Sequence, residues 1–412
     1  MKKIVILFIF WALLIVVGCN QDKLPLPVPR VQNASFGAND TNYVELSPVW
    51  NAQNLGYQFS HPEDITIGPD GIIFVADKGN DRVVALSKAG NILTSHGLGS
   101  ITGIPHPYGV AIDSKLNLLI ANGSDTLYCW NQFLNYTEID SIADEAVLFD
   151  PAKNDTVLIN FKKYLQQVQS GQPRLDFRYF VFRKDPALVE KVRQIYPIYV
   201  AGNGAQLNGV AAGPFGSGII YVTESEYDKI SEITLVPQIA VKTDYGASLF
   251  QYTGIRTKDI ATFGSGAGTV DDPWGITTDK EGDIYFTQLG GNFRVQKLDG
   301  KSFKPVYVLY QDAIMDLNRF MMPTDITLDG LENIFVIDTQ AKTVSKFANT
   351  GANAGQVLSL GKRGLATEEF NDARGIMVDD NIVYVVESGE NRIRRFQYSV
   401  SESDIPDKEN QP

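Results

Sequence analysis

Six positions in this 412-residue sequence stand at the same point of a recurring pattern yet carry six different chemistries. They are Glu63, Tyr108, Asn208, Trp274, Thr324 and Arg374. A purely structural repeat has no need to vary one position so widely. A polar ligand site does, because it needs flat aromatic faces for stacking and a few placed hydrogen-bonding groups. Four acids, Asp77, Glu224, Asp338 and Glu387, end the second apolar run of their units and join the same candidate set.

Other candidates read differently. Asp77 with Asn80 and Arg82, and Glu387 with Asn391 and Arg392, recur at repeat spacing. An acid, a turn and an arginine together suit a hairpin clamp whose side chains satisfy turn backbone groups. His61-Pro62 and His106-Pro107 occupy equivalent connectors, but zinc would need at least a third protein ligand, and His96 belongs to another part of its unit. Gly264-Ser265-Gly266-Ala267-Gly268 lacks the Lys-Ser/Thr of a phosphate loop and reads as a connector. No Gly-x-Ser-x-Gly nucleophile elbow is present. Cys129 lies in a strand-like stretch, Leu127–Trp130, where a buried apolar role is expected.

The elements that must position these residues are short strands. Each unit pairs two apolar runs across a Gly/Asp/Asn turn, as in Asp64–Ile67 with Gly71–Asp77, which reads as a β-hairpin. Copies begin at 64, 109, 209, 275, 325 and 375, with gaps of 45, 100, 66, 50 and 50 residues. Two more alternating runs follow each hairpin, and four strands per unit of this length are the signature of a β-propeller blade. The fold expected is all-β, a single propeller of four-stranded blades. In the long gap, Glu145–Asp150 and Asp155–Ile159 look like a worn hairpin, with Phe177–Phe182 and Gln194–Val200 as its outer strands and Asp144 or Glu145 at the variable position. Counting it gives seven blades; treating it as an insertion gives six. Tyr43–Leu46 is a candidate outer strand for the last blade, which would leave no open edge. In such a ring the connection into each innermost strand lies on one face, so the six variable residues would circle the mouth of a central channel.

The unit resembles the NHL repeat. The match is carried by Pro62-Glu63-Asp64-Ile65 with Phe74–Val83, by Ala373–Ile376 with Val386–Ile393, and by the connectors Phe263–Gly268 and Leu360–Gly364. It extends over residues 61–398, well at both ends and poorly in the middle, and six is the usual blade number of that family. The resemblance implies a fold more than an activity, since this superfold carries many functions. Relatives of the family include a zinc-dependent peptide-amidating lyase, whose ligands have no residue-by-residue match here. A calcium-dependent lactonase type, similar in fold, uses Glu, Asn and Asp around the channel; Glu63, Asn208 and Asp325 supply that chemistry.

Before the repeat, Lys2-Lys3 and the apolar run Ile4–Val17 read as an export signal over residues 1–18. Val16-Val17-Gly18-Cys19 resembles the lipobox of bacterial lipoproteins, which implies a lipid on Cys19. Residues 19–42 form a Pro-containing linker, 43–398 the propeller, and 399–412 a disordered tail. A net charge of −12 without a basic stripe argues against nucleic acid. The expectation is a monomeric lipoprotein of the cell envelope, held at the outer membrane by the acylated Cys19. Its mouth would recognise a protein, peptide or glycan without catalysis or cofactor. The alternative is a propeller enzyme, a lactonase-like hydrolase or a lyase, with Ca²⁺ or Zn²⁺ in the channel.

Overall fold

The second apolar run of each unit stays hydrophobic until its polar last residue or two, because it is buried on both sides. Successive strand residues point to opposite faces, and here each face meets a different neighbouring sheet. Ile73 and Val75 join one apolar cluster, Phe74 and Ala76 the next.

The computed structural model describes residues 42–399 apart from 96–97, 151, 161–162, 165, 167–169, 171–178, 247, 308–312, 318, 351–357 and 361–368. The expectations for the export signal, Cys19, the linker up to residue 41 and the tail from residue 400 concern residues outside those described, as do His96 and Gly361–Gly364. The chain starts with β1 (Asn42–Glu45). The first full sheet is β2 (Pro62–Ile67), β3 (Ile73–Asp77), β4 (Arg82–Leu86) and β5 (Ile101–Thr102). The second starts with β6 (Gly109–Ile112), β7 (Asn117–Ala121) and β8 (Thr126–Asn131). An insertion follows, with β9 (Ile139–Ala143), β10 (Glu145–Asp150) and β11 (Asp155–Asn160), before β12 (Tyr196–Val200) returns to pair with β8. The third sheet is β13 (Leu207–Ala212), β14 (Ile219–Glu224), β15 (Lys229–Thr243) and β16 (Ser248–Thr262). The fourth is β17 (Pro273–Thr278), β18 (Ile284–Gln288) and β19 (Val295–Leu298), extended by a bridge from Leu298 to Pro305. The fifth is β20 (Pro323–Leu328), β21 (Ile334–Asp338), β22 (Thr343–Phe347) and β23 (Leu358–Leu360). The sixth is β24 (Ala373–Asp379), β25 (Ile382–Glu387) and β26 (Arg392–Ser399), completed by β1.

The first strands β2, β6, β13, β17, β20 and β24 touch in a closed cycle. Six apolar clusters fill the six gaps between successive sheets, the last joining the sixth sheet to the first through Trp50, Tyr384 and Val75. The fold is a β-propeller. As the sequence suggests, β1 pairs antiparallel with β26, Tyr43 opposite Tyr398, and closes the sixth sheet.

The long gap departs from the seven-blade count. The worn hairpin forms, Ala146 opposite Ile159, but Tyr196–Val200 belongs to the second sheet. The hairpin packs instead on β15 through Ala143, Ala146, Ile159 and Ala240. Among the described residues it is an insertion between the third and fourth strands of the second sheet. β15 and β16 outrun the ordinary blade, fifteen residues each, and the overhang supports β9 through Ala240–Thr243.

Candidate functional site at the mouth of the ring

The inner strands converge on one another near their starts, and this fixes the composition of the neck. The six residues there are Asp64, Gly109, Gly209, Gly275, Asp325 and Gly375. A Cβ on Gly109 would stand 2.2 Å from the carbonyl oxygen of Asn208, and one on Gly209 2.3 Å from that of Trp274. Glycine is the residue that permits such backbone approach. The two aspartates bridge to the next sheet. Asp64 accepts from its neighbour Ile65 and, across the gap, from the Val110 N–H at 2.7 Å. Asp325 does the same with Ile326 and Ile376, both at 2.8 Å. Where glycine stands alone, Thr223 Oγ1 accepts from Gly209 and donates to the Trp274 carbonyl of the next sheet.

Above this neck the residue before each anchor faces inward. Glu63, Tyr108, Asn208, Trp274, Thr324 and Arg374 all line one cavity of about 30 Å³, with the neck as its floor. That is room for a water or two. Below the neck a channel of about 230 Å³ runs between the inner strands, and Asp64, Gly209 and Asp325 border both spaces.

The wall is held by specific contacts. Lys78 Nζ lies 2.8 Å from Glu63 Oε1 and 4.6 Å from the centre of the Tyr108 ring. Tyr108 and Trp274 meet edge to face, centroids 5.7 Å apart, although their sheets are not neighbours. The Arg374 guanidinium stands 5.7 Å over the Trp274 ring, with its Nε on Asp372 at 2.8 Å. The indole N–H donates to Asp272 at 3.0 Å. Thr324 contacts Thr339 and donates to the Arg374 carbonyl, so its hydroxyl works within the wall.

Glu63 is different. It is 93% buried, since its exposure is 7%, and its Oε2 has no hydrogen-bond partner. Burial pushes its carboxyl pKa up, against the opposing pull of Lys78. Burial likewise pushes Asp64 up to about 7, opposed by its two N–H donors, with the Glu63 charge adding to the rise. Asp325 is raised by burial first and by the charge of Asp64 second. The neck therefore tends to retain a proton that an exposed carboxylate would lose.

The four strand-ending acids do not line the cavity. Asp77 is fully buried and takes Arg82 Nε at 2.7 Å, Asn80 Nδ2 at 2.8 Å and the Ser60 N–H at 2.7 Å. Glu387 takes Arg392 Nε at 2.6 Å and the Asn371 N–H at 2.8 Å. Asp338 accepts from Met321, Met322 and Ala341, and Glu224 pairs with Lys229 at 3.0 Å. Asp77, Asp338 and Glu387 clamp the connectors that deliver the mouth residues, as the acid-turn-arginine pattern suggests for Asp77 and Glu387, whereas Glu224 pairs within its own hairpin. Asp144 pairs with Arg183, and Glu145 lies in β10; both are in the insertion.

His61 and His106 also stand apart from the cavity. Both have φ near +50° and are exposed. Their N–H groups are latched by Asn391 Oδ1 and Asp81 Oδ1 of the preceding sheets, and Asp228 holds Asp272 in the same way. The latching residues are themselves in the left-handed region, which Asn and Asp tolerate. The connector 264–268 serves the fourth sheet, where the Gly268 N–H donates to Gln296 Oε1. Cys129 is buried in the core between the second and third sheets, and burial pushes its thiol up to about 12.

Sequence reasoning missed Lys78, Asp272 and Asp372, which reach the mouth from connectors and turns. It also passed over Asp64, although an aspartate where four other units have glycine is a visible departure. Among the described residues, one group of three carboxylates could hold a cation: Asp279, Glu281 and Glu332, with oxygens within 4.8 Å of one another. It lies away from the mouth cavity, and Asp279 already accepts from Tyr285 and Lys297.

No family model matches the chain. A curated relative, the probable peptidyl-alpha-hydroxyglycine alpha-amidating lyase pgal-1 of Caenorhabditis elegans, is 30% identical over 149 residues. The match takes in 34% of this chain and 41% of the relative. Among solved structures, a protein of unknown function from Bacteroides thetaiotaomicron VPI-5482 superposes with a TM-score of 0.50. It is 12% identical, over 87% of this chain and 76% of that one. Virginiamycin B lyase from Staphylococcus aureus gives a TM-score of 0.44 at 12% identity, over 87% of this chain and 99% of that one.

Proposed function

We propose that the mouth is the reaction centre of a propeller enzyme of the lyase or hydrolase type acting on a small polar substrate. The observation that carries this is Glu63 Oε2, a carboxylate oxygen buried beside the cavity with no donor of its own. An unpaired buried oxygen is costly, and a substrate O–H or N–H would satisfy it. Lys78 fixes the other oxygen, and burial raises the proton affinity of Glu63, which suits transfer of a proton to or from a bound group. Arg374 offers its guanidinium to a carbonyl or anionic oxygen, and Tyr108 and Trp274 offer their exposed edges as walls. The part-length relative named as an amidating lyase supports the same class.

A metal belongs to this reading only in one form. Zinc does not fit, because neither described histidine lines the cavity. The donors present at the mouth and neck are hard oxygens: Glu63, Asn208, Asp64 and Asp325, the chemistry that calcium takes. Calcium held there would supply positive charge beside a substrate oxygen.

A second reading, recognition of a peptide or glycan without chemistry, is favoured by the half-exposed pair of rings, Tyr108 and Trp274. The test is incubation with a peptide ending in α-hydroxyglycine and with a sugar δ-lactone, with calcium and with EDTA. Turnover of either that falls at least about 100-fold in Glu63→Gln supports the enzyme. Absence of turnover of both, with peptide or glycan binding lost in Trp274→Ala, supports recognition instead. We further propose attachment to the envelope through a lipid on Cys19; radiolabelled palmitate incorporated by the natural chain and not by Cys19→Ala is the expected result.

A further inference from the structure

Outside the ring, the insertion and the overhanging hairpin enclose a groove of about 690 Å³, within the size range of small-molecule sites. Its walls are Glu138 with the start of β9 (Ile139, Asp140), the residues opening the helix Pro186–Arg193, and the tip of the β15–β16 hairpin (Lys242, Thr243, Asp244).

Two independent features of the groove point to a ligand. Thr243 is 1% exposed and lines the groove, yet its Oγ1 has no hydrogen-bond partner. The second feature is charge. Five carboxylates and two ammonium groups line the groove: Glu138, Asp140, Asp185, Glu190 and Asp244 against Lys184 and Lys242. Lys184 is taken by Asp140 at 3.0 Å, and Asp185 caps the helix by accepting from Ala187 and Leu188. Glu138, Glu190 and Asp244 remain, and Lys242 is the other ammonium among the described residues that line the groove. Ile139, Pro186 and Val189 supply apolar surface between them.

We propose that this groove binds a linear aliphatic di- or triamine. One ammonium donates to Thr243 Oγ1, the others are met by Glu138, Glu190 and Asp244, and the methylenes lie along Ile139 and Val189. The site is separate from the mouth and does not depend on the reading given above for it.

Calorimetric titration of the full chain with spermidine tests this. One saturable site is expected, weakened by added salt and unchanged in Glu63→Gln. Thr243→Val should weaken it about tenfold, Thr243→Ser should retain it, and Glu190→Gln with Asp244→Asn should abolish it. No saturable binding, or binding that Thr243→Val and the double carboxamide variant leave intact, overturns the proposal. Retention of a lysine-rich peptide with no affinity for spermidine would overturn the choice of occupant.

Discussion

Asp64 and Asp325 carry carboxyl groups held above the ordinary carboxylate range, and their protonation has a direction. Burial raises both pKa values above those of the unfolded chain, near 3.9. The folded chain therefore keeps protons that the unfolded chain releases from about pH 4 upward. This contribution to stability is present on the acid side and is lost as pH rises towards the folded value of about 7 for Asp64. Asp64→Asn removes one titration and also the charge that lifts Asp325. Its unfolding free energy in urea should depend less on pH between 4 and 7 than that of the natural chain, by a few kcal/mol at most; parallel profiles would refute the assignment. At this scale the sequence was legible wherever a position repeats. Glu63, Tyr108, Asn208, Trp274, Thr324 and Arg374 could be placed round one opening because each stands immediately before the anchor residue of its repeat. Lys78 could not, because its reach to Glu63 depends on the register that sets Pro62 opposite Asp77.

The inner strands impose their own test. Gly109→Ala forces a methyl group against the Asn208 carbonyl and moves two adjacent sheets, so a loss of about 3 kcal/mol or more is expected. Gly330→Ala, with no atom within 4 Å of its Cβ and no left-handed backbone, should change stability by less than about 0.5 kcal/mol. Thermal melting of both variants checks the pair; equal melting points would mean that the neck is looser than described. Strand identity was readable from the apolar runs, but sheet membership was not always so. Tyr196–Val200 has the composition of an outer strand, and nothing local says which sheet it completes. Its partner β8 lies on the other side of a whole insertion, and only the pairing of Tyr196 with Cys129 decides the matter. The fifteen-residue length of β15 and β16 is likewise set by what they support, β9 and its hairpin, rather than by repeat spacing.

For the whole molecule, the closing contact joins chain segments more than 340 positions apart. Glu45 holds Arg394 through Nε and Nη2, both at 2.7 Å, and Arg394 is 1% exposed. Glu45→Ala leaves a guanidinium buried with its main counter-charge removed, and a loss of about 3 kcal/mol is expected in chemical denaturation. A loss below about 1 kcal/mol would mean that Glu387, 3.8 Å from Arg394 Nη1, takes over the charge. The sequence foretold this seam because Tyr43–Leu46 is a strand-like run ahead of the first repeat and the last unit falls one strand short. Such a clasp also orders events in time. The sixth sheet cannot be finished until β26 leaves the ribosome, so β1 waits unpaired for a strand made more than 340 residues later. The same clasp bears load: traction on the amino-terminal segment is met first by the four registered pairs from Asn42–Ser399 to Glu45–Phe396, before any other sheet is disturbed.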